Sequence, residues 1–212
     1  MEKPETTSEF VRSKLRQFIL NEQYAPSERL DQNEIARSLN VSLIPVREGL
    51  RMLAAEGLVT ITPHRGVYVT ELSRDDLLEV YRIRQALEPL AIELTIPKIS
   101  DQDLEAVESV QRRFAEAANR QDNSLALQFN QEFHVLLYTP AHQPLLLELV
   151  SSLALRSTRY RQMYAMSPAH AQVAIEDHNA ILAACRARDI DRAQTLIVDH
   201  LRHTVEGVLN IL

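Results

Sequence analysis

The sequence is poor in glycine and aromatic residues: it has four glycines, no tryptophan and 5% aromatic residues in a chain of 212. Because tight hairpins and the turns of β-sandwiches depend on glycine, this composition favours helices over an all-β fold. The hydrophobic fraction of 45% and the charged fraction of 25% are ordinary for a globular chain. Composition therefore also excludes a disordered or collagen-like protein.

Cysteine and long apolar runs are scarce as well. Cys185 is the single cysteine, which excludes a disulfide framework and a zinc site built from cysteines. The longest apolar runs, such as residues 145–147, fall far short of the roughly 18 residues that a membrane helix requires. The opening MEKPETTSEF lacks the apolar centre of a secretory signal. We therefore expect a cytoplasmic protein without a membrane partner.

Positive charge is not in excess in either half of the chain. The formal net charge is −6. Residues 1–72 contain nine Lys and Arg against ten Asp and Glu, and residues 73–212 contain 14 against 19. A nucleic-acid-binding function would therefore depend on where the cations lie and not on their total.

The first 72 residues predict three helices followed by a hairpin. Apolar residues recur at helical spacing in 8–21, in 31–39 and from residue 43 to about 56. Ser42 is expected to cap the third helix, and Gly57 to end it. Segments 59–62 and 67–70 alternate as strands around a turn at 63–66. Three helices and a hairpin, with a tight turn before the third helix, are typical of a winged helix-turn-helix.

From residue 73 onward only helices are predicted. Ser73 and Asp76 have the spacing of a helix start, and the helix that follows contains Pro89, where we expect a kink, and ends at Pro97. Five more helices are predicted over residues 101–120, 124–138, 143–166, 170–186 and 189–212. The prediction is thus a mainly α protein with two domains, residues 1–72 and an antiparallel six-helix bundle over 73–212.

Polar and cationic residues of the first domain lie on elements that could contact DNA, because a helix fits the major groove and its first turn reaches the base edges. The candidates are Ser42, Arg47 and Arg51 on the third helix, His64 and Arg65 at the hairpin tip, and Arg12, Lys14 and Arg16 on the first helix as backbone contacts. On spacing alone, Arg47 and Arg51 are equally compatible with a surface helix on which Glu48 is their local partner.

The run VSLIPVREGLRMLAAEGLVTITPHRGVYV resembles the winged helix-turn-helix of the GntR family of bacterial transcription regulators. The family pattern is a Ser-x-x-Pro-Val-Arg-Glu-x-Leu helix, a Gly-Leu-Val exit and an Arg-Gly wing, within about residues 10–70. The resemblance implies operator contacts by Arg47 and the residues just before it, Ser42, Leu43, Ile44 and Pro45, and a close approach of Gly66 to the DNA, which adds to the candidates Arg51, His64 and Arg65. Leu43 stands where the family usually has Arg, and Ile44 where Thr is common, so the operator is not expected to follow the family's.

Three of the seven histidines lie in apolar stretches of three different predicted helices. They are His134, His178 and His200, and Asn130 lies one turn before His134 on the same face. Neutral imidazole is a preferred ligand of first-row metals. The spacing alone is compatible with one shared metal site, but it favours histidines that bind no metal.

Residues 73–212 look like the FCD effector-binding domain of the FadR and VanR branch of that family. The matching segments are YRIRQALEPLA, the Phe133-His134 pair, EDHNAIL and the late DHL. The resemblance implies a divalent metal, Zn, Ni or Mn, held by Asn130, His134, His178 and His200, with Asn130 in place of the family's Asp. Because Asn carries no charge, we expect weaker metal affinity and a preference for an anionic ligand.

Arg84 is the main candidate for binding the effector. It lies one turn after Tyr81 on a largely apolar stripe, where a guanidinium needs a carboxylate partner. The resemblance implies that this partner is the effector's carboxylate, and the alternative is an internal ion pair with Glu88 at i+4. Further candidates for the pocket wall are Tyr164, Arg159 and Arg161.

Together these features predict a ligand-responsive transcription regulator, a repressor more than an activator, that binds a small carboxylate effector. A homodimer is expected because one recognition helix covers too few base pairs, so paired half-sites require paired subunits. The alternative class is a metalloenzyme with a three-histidine site. Glu132, Asp177 and Asp199 lack i+3 or i+4 spacing to a candidate ligand, which weakens the case for a nearby general acid or base.

Overall fold

The computed structural model describes residues 6–21, 23–165 and 167–212. The chain divides into two compact units, residues 1–72 and 73–212. The described residues are mainly helical with one small sheet, which confirms the predicted fold class. Within them, no helix combines the length and the apolarity that crossing a bilayer requires.

The described residues of the first unit form three helices and a three-stranded sheet. In chain order these are α1 (Thr7–Leu20), β1 (Arg29–Leu30), α2 (Gln32–Ser38), α3 (Leu43–Ala55), β2 (Val59–Thr62) and β3 (Gly66–Val69). The predicted hairpin is present as β2 and β3, which pair antiparallel, and β1 pairs antiparallel with the other edge of β3. The sequence does not predict β1, because two residues are too few to show alternation.

Close packing of α1 against α3 fixes the orientation of α3. Gly49 lies at the contact, where a Cβ would meet Val11 Cγ1 at 3.0 Å and the Arg12 nitrogen at 3.1 Å. Leu50 and Leu53, on the same side of α3, are buried in the core of the unit. The opposite side of α3 is left exposed, so this helix has one face in the core and one face toward solvent.

The second unit is a bundle of α-helices. These are α4 (Arg74–Thr95), α5 (Asp101–Asn119), α6 (Asn123–Tyr138), α7 (Pro144–Arg156), α8 (Thr158–Ala165), α9 (Pro168–Arg186) and α10 (Ile190–Leu209), with a short 3-10 helix at Thr139–Ala141. α4 runs through Pro89 as one element and ends two residues before Pro97.

The predicted helix over 143–166 is two helices, α7 and α8, so the described part of this unit has seven α-helices instead of six. The break lies at Ser157. The hydroxyls of Ser157 and Thr158 donate to the carbonyl of Ala154, at 3.0 and 3.4 Å, and Arg161 donates to the same oxygen at 2.7 Å. Side-chain donors thus take over an acceptor that an uninterrupted helix would use, which a helical hydrophobic period does not reveal.

Polar residues lie inside the otherwise apolar core of this bundle. The apolar faces of α5, α6, α9 and α10 supply the core, with residues such as Phe133, Ile181 and Ile197. A set of polar side chains is buried there as well: Arg84, Glu88, Gln111, Asn130, His134, His178 and His200. Because buried polar groups are stable only with partners, their contacts define the candidate site.

Candidate functional sites

The start of α3 presents an exposed and unusually apolar surface. Ser42 occupies the N-cap position, as predicted, but its side chain makes no capping hydrogen bond, so the exposed hydroxyl remains available. Ile44 is 69% exposed, and Leu43 is half-buried against the core of the first unit. Pro45 is half-buried in the first turn. This end of the helix therefore offers a hydroxyl and an isobutyl-sized apolar side chain.

Two arginines lie exposed further along α3. Arg47 Nε donates to Gln32 Oε1 at 3.2 Å, which holds its side chain beside the start of α2. Arg51 forms neither a hydrogen bond nor an ion pair with any residue that the structure describes. Glu48, their proposed local partner, accepts a hydrogen bond from Ser8 instead. Glu48 is therefore not seen as their local partner, and both arginines stay exposed on the surface of the helix.

The hairpin tip is shaped by two residues with positive φ. His64 has a φ of 61° and Gly66 a φ of 122°. A Cβ at position 66 would also lie 3.1 Å from Arg29 Nε, so both the backbone and the neighbouring side chain require glycine there. His64 and Arg65 are exposed at the tip.

Arg29 is a cation of this surface that sequence reasoning missed. With Arg47 it lines a groove bounded by Leu43 and Gly66. Arg29 lies on β1, which the sequence pattern does not predict. Its position beside the wing is therefore seen only in the folded structure.

Two cations of α1 form an ion-pair cluster within the unit. Arg12 and Arg16 lie 3.5 and 3.8 Å from the carboxylate of Glu56, which is buried. Burial raises the pKa of Glu56, and the two arginines partly offset this effect. Glu56 therefore competes with the DNA backbone for Arg12 and Arg16. Lys14, the third predicted backbone contact, is exposed.

In the second unit, His134 of α6, His178 of α9 and His200 of α10 meet in the interior. One ring nitrogen of each lies within 4.8 Å of the others, and their ring centroids are 4.8–5.3 Å apart. All three side chains are buried. The geometry excludes the alternative of three separate core histidines.

The tautomer of His178 follows from its hydrogen bonds. His178 Nδ1 lies 2.8 Å from Gln111 Oε1. The amide nitrogen of Gln111 donates to Ile175 O and Asn179 Oδ1, both at 3.2 Å, so Oε1 must be the acceptor toward His178. His178 therefore carries its proton on Nδ1, and its Nε2, buried without a hydrogen-bond partner, presents a lone pair.

His134 and His200 follow the same logic. Tyr138 donates to Glu88 Oε2 at 2.7 Å, so the phenol oxygen accepts from His134 Nδ1, at 3.4 Å. Asp177 Oδ2, an acceptor, lies 3.2 Å from His200 Nδ1. Each ring thus has its Nδ1 engaged, and the buried Nε2 of His134 has no hydrogen-bond partner.

Three ring nitrogens within 4.8 Å of one another fit a divalent cation. Burial, and then the neighbouring imidazole of His200, lower the pKa of His178 well below its usual value, and burial followed by the other two imidazoles does the same for His134. Both rings are therefore neutral at pH 7, the form that binds metals. Nδ1 atoms held by acceptors behind the ligands are the usual arrangement around a bound metal.

A cavity lies beside the three histidines. Its wall includes His134, His200, Asn130, Arg84, Arg161, Tyr164, Phe114 and Thr204. Asn130 is nine-tenths buried and lies one turn before His134 on α6. Among the lining side chains two arginines carry a formal charge and no carboxylate does. The wall is therefore suited to an anion.

Arg84 is fixed at the cavity wall by an internal partner. Its Nε donates to Glu88 Oε1 at 2.6 Å, and another guanidinium nitrogen donates to Ser157 Oγ at 3.2 Å, with Arg84 and Glu88 both buried. Burial lowers the pKa of Arg84, but the Glu88 carboxylate more than offsets this effect, so the pKa is raised. The ion pair with Glu88 is present, and Arg84 also lines the cavity.

The two predicted tyrosines differ in position. Tyr81 is buried under Arg84, whose Cζ lies 4.8 Å from the centre of the ring, and it is not part of the cavity wall. Tyr164 does line the cavity, and its ring stacks on His170 at 4.4 Å. Burial raises the pKa of Tyr164 to about 12, so it is a neutral hydrogen-bonding group. Arg161 lies in the wall, whereas the buried Arg159 does not.

Two family models match the chain. The FCD domain matches residues 79–203, and the model described as "Bacterial regulatory proteins, gntR family" matches residues 7–69. The chain belongs to the GntR family. The resemblance to the GntR family and to its FCD domain is thereby confirmed.

Relatives of this GntR-family chain cover nearly all of it. The HTH-type transcriptional repressor RspR of Escherichia coli (strain K12) is 30% identical over 199 residues, which are 93% of this chain and 86% of the relative. The HTH-type transcriptional regulator YdhC of Bacillus subtilis (strain 168) is 27% identical over 201 residues, 94% and 90% of the two chains. The chain is therefore a transcriptional regulator, and the expectation that it is not an enzyme is confirmed.

Solved structures of the family share the fold. McbR/YncC of E. coli has a TM-score of 0.82 at 24% identity, covering 97% of this chain and 98% of that one. A GntR-type regulator from Rhodococcus sp. RHA1 has a TM-score of 0.80 at 22% identity, with coverage of 97% and 98%. A winged helix-turn-helix followed by a helical domain is thus a fold that this chain shares with them.

Proposed function

We propose that this regulator is a homodimeric repressor that binds operator DNA through residues 1–72 and a small carboxylate effector, with a divalent metal, through residues 73–212. One observation carries the sensing half of the proposal. Three buried imidazoles with engaged Nδ1 atoms, of which those of His134 and His178 are neutral, meet beside a cavity whose charged lining groups are both arginines. The effector changes operator affinity because it binds one arrangement of the dimer better than another.

The DNA-binding surface consists of the exposed face of α3 and the hairpin tip. Its residues are Ser42, Leu43, Ile44, Pro45, Arg47, Arg51, His64, Arg65 and Gly66. The exposed Ile44 suits contact with a thymine methyl group, and Arg47, held by Gln32, suits a guanine or a phosphate. Leu43 makes no polar contact with a base, so the specificity of this protein rests on fewer hydrogen bonds than the family pattern provides.

The metal would be held by His134, His178 and His200, with Asn130 as a neutral fourth ligand through its amide oxygen. A bound dication supplies uncompensated positive charge at one end of the cavity, since none of these ligands is charged. Arg84 and Arg161 add positive charge at the wall. A carboxylate is the ligand that complements this end of the cavity, while Tyr164 and Phe114 limit the space for the rest of the molecule.

The homodimer would be formed through an apolar face of α4 and α7. These two helices contact each other, and four of their large apolar residues are exposed: Ile83 at 43%, Leu90 at 42%, Leu145 at 67% and Leu149 at 45%. An exposed apolar surface of this kind is typical of an interface. A second copy of the chain is the partner that symmetric operator half-sites require.

The proposal is tested by combining operator selection with ligand screening. The full chain selects binding sites from random duplex DNA, and a panel of small carboxylates is screened by thermal shift with and without a chelator. We expect an inverted repeat, and a carboxylate that stabilises the metal-loaded protein and changes its affinity for that repeat. Selection of no inverted repeat would contradict the DNA-binding half. Identical melting curves for every carboxylate, with or without metal, would contradict the sensing half.

A further inference from the structure

A carboxylate lies directly behind the histidine cluster. Asp177 Oδ2 lies 3.2 Å from His200 Nδ1 and 2.9 Å from His203 Nδ1. The side chain of Asp177 is 16% exposed and that of His200 is 7% exposed, so little water screens their contact. His203, at 35% exposure, covers the solvent side of the carboxylate. One oxygen therefore accepts two ring protons, and one of the two rings belongs to the cluster.

Among the described residues, the carboxylates of Glu88 and Asp177 lie near the cluster, and Asp177 is the one without an arginine or lysine partner. Glu88 Oε2 lies 4.0 Å from His134 Nδ1, but the Glu88 carboxylate is already paired with Arg84 at 2.6 Å. For Asp177, no arginine or lysine in the described parts of the chain lies within ion-pair distance, and both of its partners are imidazoles. Its negative charge is thus available to the cluster.

The residues of the histidine cluster bring no negative charge that would stabilise a bound dication. Asn130 carries no charge, burial keeps His134 and His178 neutral, and the charged side chains of the adjoining wall are Arg84 and Arg161. A divalent cation held by Asn130 and the histidines would have no carboxylate among these ligands, and the nearby Glu88 carboxylate is already paired with Arg84. A carboxylate that accepts a proton from the Nδ1 of a ligand orients the ring and makes its other nitrogen a stronger donor.

We propose that Asp177 is the positioning residue of this centre: it orients His200 and supplies, one hydrogen bond further out, the negative charge that Asn130 does not bring. His203 holds Asp177 in place from the solvent side. The inference rests on the proposed function, because it takes the cluster to bind a divalent metal. It adds a residue to the centre that contacts no metal itself.

The test compares metal binding by the full-length protein and four variants after removal of bound metal. Co²⁺ is titrated and followed by its visible absorption, and Zn²⁺ is measured by competition. We expect Asp177→Asn, which keeps an acceptor but removes the charge, to weaken both metals by about 10- to 100-fold. Glu176→Gln removes the same charge at the adjacent exposed position and should leave affinity unchanged. His203→Ala should cause a smaller loss than Asp177→Asn.

A double variant tests whether charge is the reason. Asn130→Asp in the Asp177→Asn background returns a carboxylate to the centre, and we expect it to restore most of the lost affinity. If the double variant binds metal as weakly as Asp177→Asn alone, Asp177 does not act by compensating for the missing charge of Asn130. Equal Co²⁺ affinities for the wild type and Asp177→Asn would overturn the inference while leaving the metal in the proposed function. A wild type that binds neither metal would overturn both.

A second readout needs no metal. In metal-free protein, long-range ¹H–¹⁵N spectra of the imidazoles report which ring nitrogen carries the proton. We expect His200 in the Nδ1–H form in the wild type and in Glu176→Gln, and a mixture of tautomers in Asp177→Ala, which removes the acceptor. An unchanged His200 signal in Asp177→Ala would overturn the orienting role. Circular dichroism confirms that each variant is folded before the spectra are compared.

Discussion

The ring of Tyr164 lies against the backbone of Gly207, where a Cβ would come within 2.3 Å of Tyr164 Cε2. Gly207 is in α10, and Tyr164, at the end of α8, is part of the cavity wall. The lack of a side chain at position 207 therefore determines where this wall lies. Tyr164 is predictable as a candidate from the sequence, whereas Gly207 is not, because the contact joins residues 43 positions apart.

Replacing Gly207 with Ala should displace the Tyr164 ring. We expect a loss of about 1–3 kcal/mol in the free energy of unfolding, the usual effect of overpacking. A decrease in the free energy of unfolding would be informative, because Ala in a helix normally stabilises by about 1 kcal/mol relative to Gly. Urea unfolding measures the change. In a Tyr164→Ala background only the 3.2 Å contact with His170 Cε1 remains, so Gly207→Ala should cost much less there. Destabilisation of similar size in both backgrounds would contradict a clash with Tyr164.

The buried pair of Arg84 and Glu88 should be much more sensitive to change than a surface pair. Glu88→Gln leaves the Arg84 guanidinium buried without a counter-charge, for which we expect a loss of about 3–5 kcal/mol. The exposed pair of Arg113 and Glu132, 3.3 Å apart, is the control. Glu132→Gln should cost less than about 1 kcal/mol. Equal losses in the two urea unfolding curves would show that Arg84 does not depend on Glu88.

How far the sequence predicts this molecule depends on the range of the interactions involved. Helical periods and the turn before α3 are local, and they predict the fold class and the recognition helix. The ion pair of Arg84 and Glu88 is also predictable, because the two residues lie four positions apart on one helix. In contrast, the strand β1 is too short to show an alternating pattern in the sequence. The break at Ser157 is made by side-chain hydrogen bonds, which leave no trace in the helical hydrophobic pattern.

The acceptors behind the histidines are the part of the site that the sequence does not predict. Gln111 and His178 are 67 positions apart, and they meet because α5 packs against α9. Asp177 directly precedes His178, yet it bonds to His200 of α10. Adjacent helical residues point in different directions, so spacing along one helix cannot reveal a partner on another.

Lowering the pH should destabilise the metal-free protein before ordinary carboxylates titrate. The folded-state pKa values of His134 and His178 are depressed by burial, whereas in the unfolded chain both take up protons near pH 6.5. The unfolded state thus binds more protons below that pH, and stability falls as pH falls. We expect a slope of up to about 1.4 kcal/mol per pH unit for each histidine between pH 6.5 and 5.5. Urea unfolding in the presence of chelator measures it, and the flatter curve expected for His178→Gln is the control.

The exposed arginines of α3 should contribute differently to DNA binding. If Arg47 contacts a base, Arg47→Ala should weaken binding to the selected operator by about 1–3 kcal/mol and relax specificity. Loss of a phosphate contact instead lowers the slope of log affinity against log salt concentration by about one. Arg51, which has no partner in the described residues, should behave as a phosphate contact. Fluorescence anisotropy at several salt concentrations separates the two effects. Arg186→Ala, an exposed arginine of the second unit, should change neither.

The apolar face of α4 and α7 should determine whether the protein is a dimer. Leu145→Asp places a charge on the most exposed leucine of that face, and desolvating this charge at an interface would be strongly unfavourable. We expect the variant to be monomeric by light scattering and to lose affinity for paired half-sites. Leu125→Asp alters a leucine of 42% exposure on α6, outside the face, and should remain dimeric. A dimeric Leu145→Asp variant with wild-type operator affinity would place the interface elsewhere, whereas monomers in both variants would point to a general loss of packing.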